Sequence, residues 1–225
     1  EFFIAVFALR DGLVEMVKAS ITGSIIINVL LLIGLAMFAG GLKYKEQRFN
    51  KDTAGLSSTM LIVVVVGLGL PSMFSIITAK PAEAMSVSVS IVLGVIYLLS
   101  LLYTLVTHKH LFVVERNFPE DDHGRWPVPV AVAILLGATL LVGYESFLLV
   151  NIVQPLISDT GFTQTFMGLV FVSLLTNIPE HVSAVRFARK DNMTLSLDIG
   201  MSSSLQIALF VVPILVGLSL LLGQP

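Results

Sequence analysis

The chain has 225 residues, of which 56% are hydrophobic and 12% charged, and its formal net charge is −2. These proportions are too apolar for a water-soluble domain, the small net charge says little by itself, and no nucleic-acid partner is expected. With no Cys, disulfides, cysteine-ligated zinc and thiol chemistry are excluded.

Taken in order, the pattern predicts a partial helix at 1–10 and full membrane spans near 20–41, 55–78, 85–107, 127–153, 163–188 and 196–222. Ile21–Leu42, Ala54–Ala79, Ala84–Thr107 and Ile199–Pro225 carry no charge, and Trp126–Ser158 carries only Glu145. Each run reaches the roughly 20 residues that a spanning helix needs. Backbone at membrane depth must satisfy its own hydrogen bonds, and no run alternates as a barrel strand would, so helices are predicted throughout. The chain carries no signal-peptide pattern and opens mid-helix at Glu1-Phe2-Phe3-Ile4, which reads as part of a longer protein.

Crossing number sorts the 13 basic residues into two sets. Arg10, Lys18 and Lys80 fall on one side, and the remaining ten, among them Lys43, Lys45, Arg48, Lys51, Arg186, Arg189 and Lys190, on the other. The second side is therefore read as cytoplasmic. Residues 108–125, with Glu115, Glu120, Asp121 and Asp122, become an acidic cytoplasmic loop: a solvated linker, or a weak cation-attracting surface.

The two halves repeat at a constant offset of 179, which aligns Glu1 with Glu180, Ala5 with Ala184, Arg10 with Arg189 and Ser24 with Ser203. Four full spans lie between the two glutamate helices, so these run in opposite directions. Chance likeness between apolar helices is the bland explanation, and charged and polar matches at one offset count against it. The predicted architecture is an all-α multi-span bundle of two inverted repeats: 1–107, incomplete at its N-terminus, and 126–225, incomplete at its C-terminus, joined by the loop 108–125. Such repeats are common in secondary transporters, which bind substrate near the midplane.

Glu180 stands in an apolar span with no charge from Thr160 to Pro179. A carboxylate at that depth is a functional candidate, though a structural ion pair or a protonated acid would also account for it. With Glu1 it could hold a hard cation, and calcium accepts many oxygen ligands in irregular geometry. Pro179 lacks an N–H and should free the Leu175 carbonyl toward an ion. Asn177, three residues before Glu180, offers another oxygen on the same face, or an interhelical hydrogen bond. Ser24 and Asn28 on one helix, and Ser202, Ser203 and Gln206 on its repeat partner, could line an ion path or simply allow close helix packing. Asp198 could face a wet entrance or mark a helix end. His181 could modulate Glu180 or bond a neighbouring helix. Glu145 could serve a proton path or lie near the outer interface.

The run Thr176-Asn177-Ile178-Pro179-Glu180-His181-Val182-Ser183-Ala184-Val185 resembles the GNxxEHxxAI motif of the calcium/proton exchanger branch of the cation/calcium exchanger superfamily. Ser202-Ser203-Ser204-Leu205-Gln206-Ile207-Ala208-Leu209-Phe210-Val211-Val212-Pro213 is similar to that branch's GSxxQIALFVxP segment. Gly40-Gly41-Leu42-Lys43-Tyr44-Lys45 is also family-like. The resemblance covers nearly the whole chain and implies a sodium/calcium-exchanger-like fold. It implies that Glu1 and Glu180 bind calcium and exchange it for protons, with Asn177, Ser24, Asn28, Ser203 and Gln206 at matching polar positions. It also implies spans before Glu1 and after Pro225 that this chain lacks. Thr176 stands where the motif has glycine, as does Ser202, and Pro179 is closer to the sodium/calcium branch.

The expected function is calcium/proton antiport in a prokaryotic cell membrane. Calcium is the transported ion, protons are the counter-ion, the lipid bilayer is the surroundings, and no prosthetic group or enzymatic activity is expected. A homo-oligomer stays open. The alternatives are a sodium-coupled exchanger of the same superfamily, then a cation channel. An intramembrane hydrolase would need a metal cluster or a Ser/His pair that the spans do not offer.

Overall fold

The computed structural model describes residues 1–79, 82–107 and 126–223, and every regular element among them is helical. α1 (Phe2–Arg10) leads into α2 (Val14–Gly41), α3 (Lys51–Thr78), α4 (Glu83–Thr107) and α5 (Val128–Thr160). α6 (Gln164–Thr176), α7 (Ile178–Ala188) and α8 (Met193–Leu221) follow. Five helices are long and apolar enough to cross a membrane, and α6 with α7 adds a sixth span bent by 49°. The protein is thus an integral, multi-pass membrane protein. The acidic stretch 108–125 lies outside the described residues.

α2, α3, α5 and α8 reach beyond the spans that hydropathy predicts, and caps mark the start of α3 and the end of α5. α3 begins at Lys51 because the Asn50 side chain accepts from the backbone N–H groups of Asp52 (3.0 Å) and Thr53 (3.2 Å). α5 continues through Pro155 and stops where Gly161 takes a left-handed φ of 73°.

The repeat extends into the backbone. α2 starts at Val14 and α8 at Met193, again 179 apart. The turn before α2 is closed by Leu13 N–H donating to the Ala8 carbonyl (2.8 Å), and the turn before α8 by Asn192 N–H donating to Phe187 (3.0 Å). The left-handed residue in each turn, Gly12 at φ 75° and Asp191 at φ 62°, keeps the same offset. Both long helices then widen into a π segment at matching depth, Ile27–Leu32 in α2 and Ile207–Val211 in α8. Matches of cap, turn and widened step are not a by-product of apolar composition.

Three apolar clusters hold the bundle together. Ile4, Ala8, Met16, Val153, Met167 and Leu215 join α1, α2, α5, α6 and α8. Leu32, Ala36, Ala184, Ala188 and Leu197 join α2, α7 and α8. Val64, Leu93, Ala208 and Leu209 tie α3 and α4 to α8. α2 and α6 approach closely: a Cβ on Gly23 would lie 2.2 Å from the Leu169 carbonyl oxygen, and one on Gly168 would lie 2.3 Å from that of Met16. Small residues at such crossings replace the hydrophobic driving force that lipid does not supply. Large apolar side chains such as Leu30, Val65, Ile76, Leu135 and Leu140 point outward, as lipid-facing surface requires.

Candidate functional site

The polar residues gather where α1, α2, the α6–α7 bend and α8 meet. Glu1 caps the start of α1, and its Oε1 accepts from three donors: the Ser24 hydroxyl (2.5 Å), the Asn177 amide (2.6 Å) and the Thr176 hydroxyl (3.1 Å). Beside it is a small cavity walled by Ile4, Val172 and Val211. Asn177 is fully within the bundle, 1% exposed, at the point where the span breaks. Its φ of −96° and ψ of 5° put it in the bridge region, outside the helical well.

The bend therefore centres on Asn177. Pro179 occupies the first turn of α7, where a missing N–H leaves no intrahelical bond unmade. The expectation that Pro179 leaves the Leu175 carbonyl bare is corrected: a backbone N–H at the Asn177 cap donates to that oxygen, because the chain tightens as it turns. The Asn177 carbonyl is likewise occupied, by the His181 backbone N–H at 3.0 Å and by His181 Nδ1 at 2.5 Å. A carbonyl only accepts, so Nδ1 carries the proton.

The network fixes the direction of each amide. Asn177 presents Nδ2 to the Glu1 carboxylate, so its Oδ1 turns to α2 and accepts from Asn28 Nδ2 at 2.9 Å. Asn28 Nδ2 also donates to Ser203 on α8 at 3.2 Å. Asn28 has then spent both donor hydrogens, and its Oδ1 is left without a partner in a side chain that is 0% exposed. Glu180 Oε2 and His181 Nε2 are two more buried atoms with no protein partner. Unmet buried acceptors are rare and call for an explanation such as an ion or water.

Several expected residues lie in this network: Glu1, Ser24, Asn28, Asn177 and Ser203 are joined by hydrogen bonds. Glu180 and His181 follow on the first turn of α7, and the Glu180 charge is favourable at a helix N-terminus. Asp198 lies apart, accepting from Ser202 at 3.0 Å in a small cavity with Asn50, Thr53, Ser57 and Thr194. Gln206 is exposed on α8, and Glu145 is exposed on α5. Among the described residues, no three His, Cys, Asp or Glu side chains cluster as a metal cage. Thr176 is the one site residue that motif matching discounts, since it reads there only as a departure from glycine. A hydroxyl next to the motif asparagine was the signal that marks it as a donor.

Residues 1–106 and 130–224 match the sodium/calcium exchanger protein family. The chain belongs to that family. Among its relatives, the Ca(2+)/H(+) antiporter ChaA of Bacillus subtilis is 36% identical over 220 residues, covering 96% of this chain and 63% of that protein. A Ca(2+)/H(+) antiporter of Synechocystis is 38% identical over 244 residues, covering 100% of this chain and 66% of the relative. The solved structure of native YfkE superposes with a TM-score of 0.78 at 33% identity, over 98% of this chain and 63% of that one. The chain thus spans a little under two thirds of the length of these relatives. The all-helical inverted-repeat architecture is that of this exchanger family.

Proposed function

We propose that this protein acts in secondary antiport, exchanging calcium for protons at a membrane-depth site that Glu1 and Glu180 share. The observation that carries this reading is the pair of buried acceptors without donors: Asn28 Oδ1, within the Glu1 hydrogen-bond network, and Glu180 Oε2, three residues beyond Asn177 on the same bent span. Desolvated oxygen atoms of this kind are stabilised by a cation. Calcium fits the donor set: it takes six to eight oxygens, and two carboxylates, an amide oxygen, hydroxyls and water can supply them without rigid geometry. The names of the bacterial and cyanobacterial relatives support the same ion pair, calcium and proton.

Exchange follows from competition. Calcium requires both carboxylates ionised, and protons on Glu1 and Glu180 discharge the site and release the ion. In this reading the repeats, 1–107 and 126–225 with 108–125 between them, present the site alternately to the two sides. Asp198 and Ser202 lie on the cytoplasmic approach to it. The reaction makes and breaks no covalent bond, so the protein is a transporter rather than an enzyme. The Pro179-Glu180 pair favours a second reading, sodium-coupled calcium exchange in the same site.

Calcium uptake into everted vesicles carrying the intact transporter, under an imposed proton or sodium gradient, separates the two. We expect proton-driven uptake, abolished in Glu180→Gln. Normal uptake by that variant sinks the shared-glutamate site, and uptake driven only by sodium sinks the choice of counter-ion.

A further inference from the structure

The segment between α2 and α3 has no role in the site described so far, yet it contributes four side-chain hydrogen bonds to the end of the Glu180 helix and the turn after it. Lys43 Nζ donates to the Arg189 carbonyl at 2.8 Å, and the Tyr44 hydroxyl donates to the same oxygen at 3.3 Å. Gln47 Nε2 donates to the Ala188 carbonyl at 2.8 Å and to Asp191 Oδ1 at 3.2 Å. The Asn50 N–H adds a bond to the Thr194 hydroxyl at 3.0 Å. The carbonyls at a helix C-terminus have no intrahelical partners, and a cation there also meets the negative end of the dipole. α7 is thus capped by side chains from a loop about 140 residues away in sequence.

The seat for Gln47 is built. Its side chain lies against α2 at Gly40, where a Cβ would come within 1.9 Å of Gln47 Oε1. Ala36 and Leu32 on α2 are buried against Ala184 and Ala188 on α7 just below. The first repeat therefore grips the last turn of the helix whose first turn holds Glu180.

We propose that residues 43–50 are a clasp that sets the position of the Glu180 helix, with Gln47 as the positioning residue and Gly40 as its seat, so that α2, the clasp and α7 move as one body during transport. α7 has only 11 residues, so displacement of one end tilts the whole helix and shifts Glu180 relative to Glu1. The proposal rests on the reading of Glu180 as an ion ligand.

The test compares Gln47→Met, Gly40→Ala and the double variant in the intact transporter, by the calcium concentration for half-maximal uptake in vesicles. Met keeps the length of Gln47 and removes both donors. Each single variant is expected to raise the half-maximal concentration roughly three- to thirty-fold while the maximal rate changes less. The double variant is expected to be no worse than the poorer single one, because both break the same contact. Unchanged half-maximal concentrations, or effects that multiply in the double variant, overturn the clasp. Glu180→Gln runs alongside: if it transports normally the ligand reading fails, whereas a dead Glu180→Gln with a normal Gln47→Met removes the clasp alone.

Discussion

Asn177 donates to Glu1 at 2.6 Å across the junction of the two repeats. The bond determines more than the position of one carboxylate. It orients the Asn177 amide, which orients the Asn28 amide, which leaves Asn28 Oδ1 buried without a donor. The break in the α6–α7 span, the Glu1 rotamer and the polarity of α2 are therefore coupled through one buried side chain.

Asn177→Leu should remove that coupling. Glu1 loses its shortest nitrogen donor and Asn28 loses an acceptor, each buried, at about 1–3 kcal/mol per unmet group. The expected outcome is a lower unfolding temperature in detergent together with loss of calcium uptake. A variant of wild-type stability and activity contradicts the network.

Thr176→Val should act on affinity and spare the fold. The Thr176 hydroxyl can also donate within its own helix to the Val172 carbonyl at 3.0 Å; Val removes that side-chain bond but takes away no backbone N–H, so the helix itself is spared. One of three donors to Glu1 disappears, worth about 0.5–1.5 kcal/mol or roughly a two- to ten-fold rise in half-maximal calcium. Thr176→Ser is expected to restore the wild-type value. Equal behaviour of the Val and Ser variants in uptake assays removes Thr176 from the site.

Pro179→Ala should leave the bend in place. The turn is made by the Asn177 backbone and held by its side chain, and Pro179 occupies a position where its N–H is not needed. A stability change under about 1 kcal/mol and uptake within about two-fold of wild type are expected. A large loss of both, by thermal unfolding and flux, would make the proline the cause of the break.

Gly23→Ala should strain the α2–α6 crossing. The added Cβ meets the Leu169 carbonyl and the Ser173 hydroxyl, both closer than any ordinary contact, so the helices must separate. Overpacking of this kind is destabilising by about 1–3 kcal/mol. Gly34→Ala on the same helix meets nothing and serves as the control in the same melting experiment.

Much of this molecule is readable from its sequence because membrane physics leaves few choices. Apolar runs between charged loops mark the spans, and the offset linking Glu1 to Glu180 and Ser24 to Ser203 reveals the repeat. What stays hidden is set by local geometry rather than by composition. Pro179 draws attention as the helix breaker, yet Asn177 turns the chain, since only the folded network shows which residue leaves the helical well. By spacing, Ser202 and Gln206 share a face of their helix, as Ser24 and Asn28 do on the repeat partner, but α8 turns Ser203 to the site and leaves Ser202 and Gln206 exposed. Lys43 shows in the sequence only through the basic bias and the family-like stretch, and Gln47 carries no signal there, because their partners lie on and just after a distant helix.

The matched π segments place the same local loosening in both repeats. Each holds a wider turn than an α-helix allows, a departure that is rare and found most often at functional sites. Set 179 residues apart, the two give α2 and α8 the same widened step in each repeat. Asn28, whose Oδ1 has no partner, lies within the first of them, so the loosened backbone falls at the polar network itself.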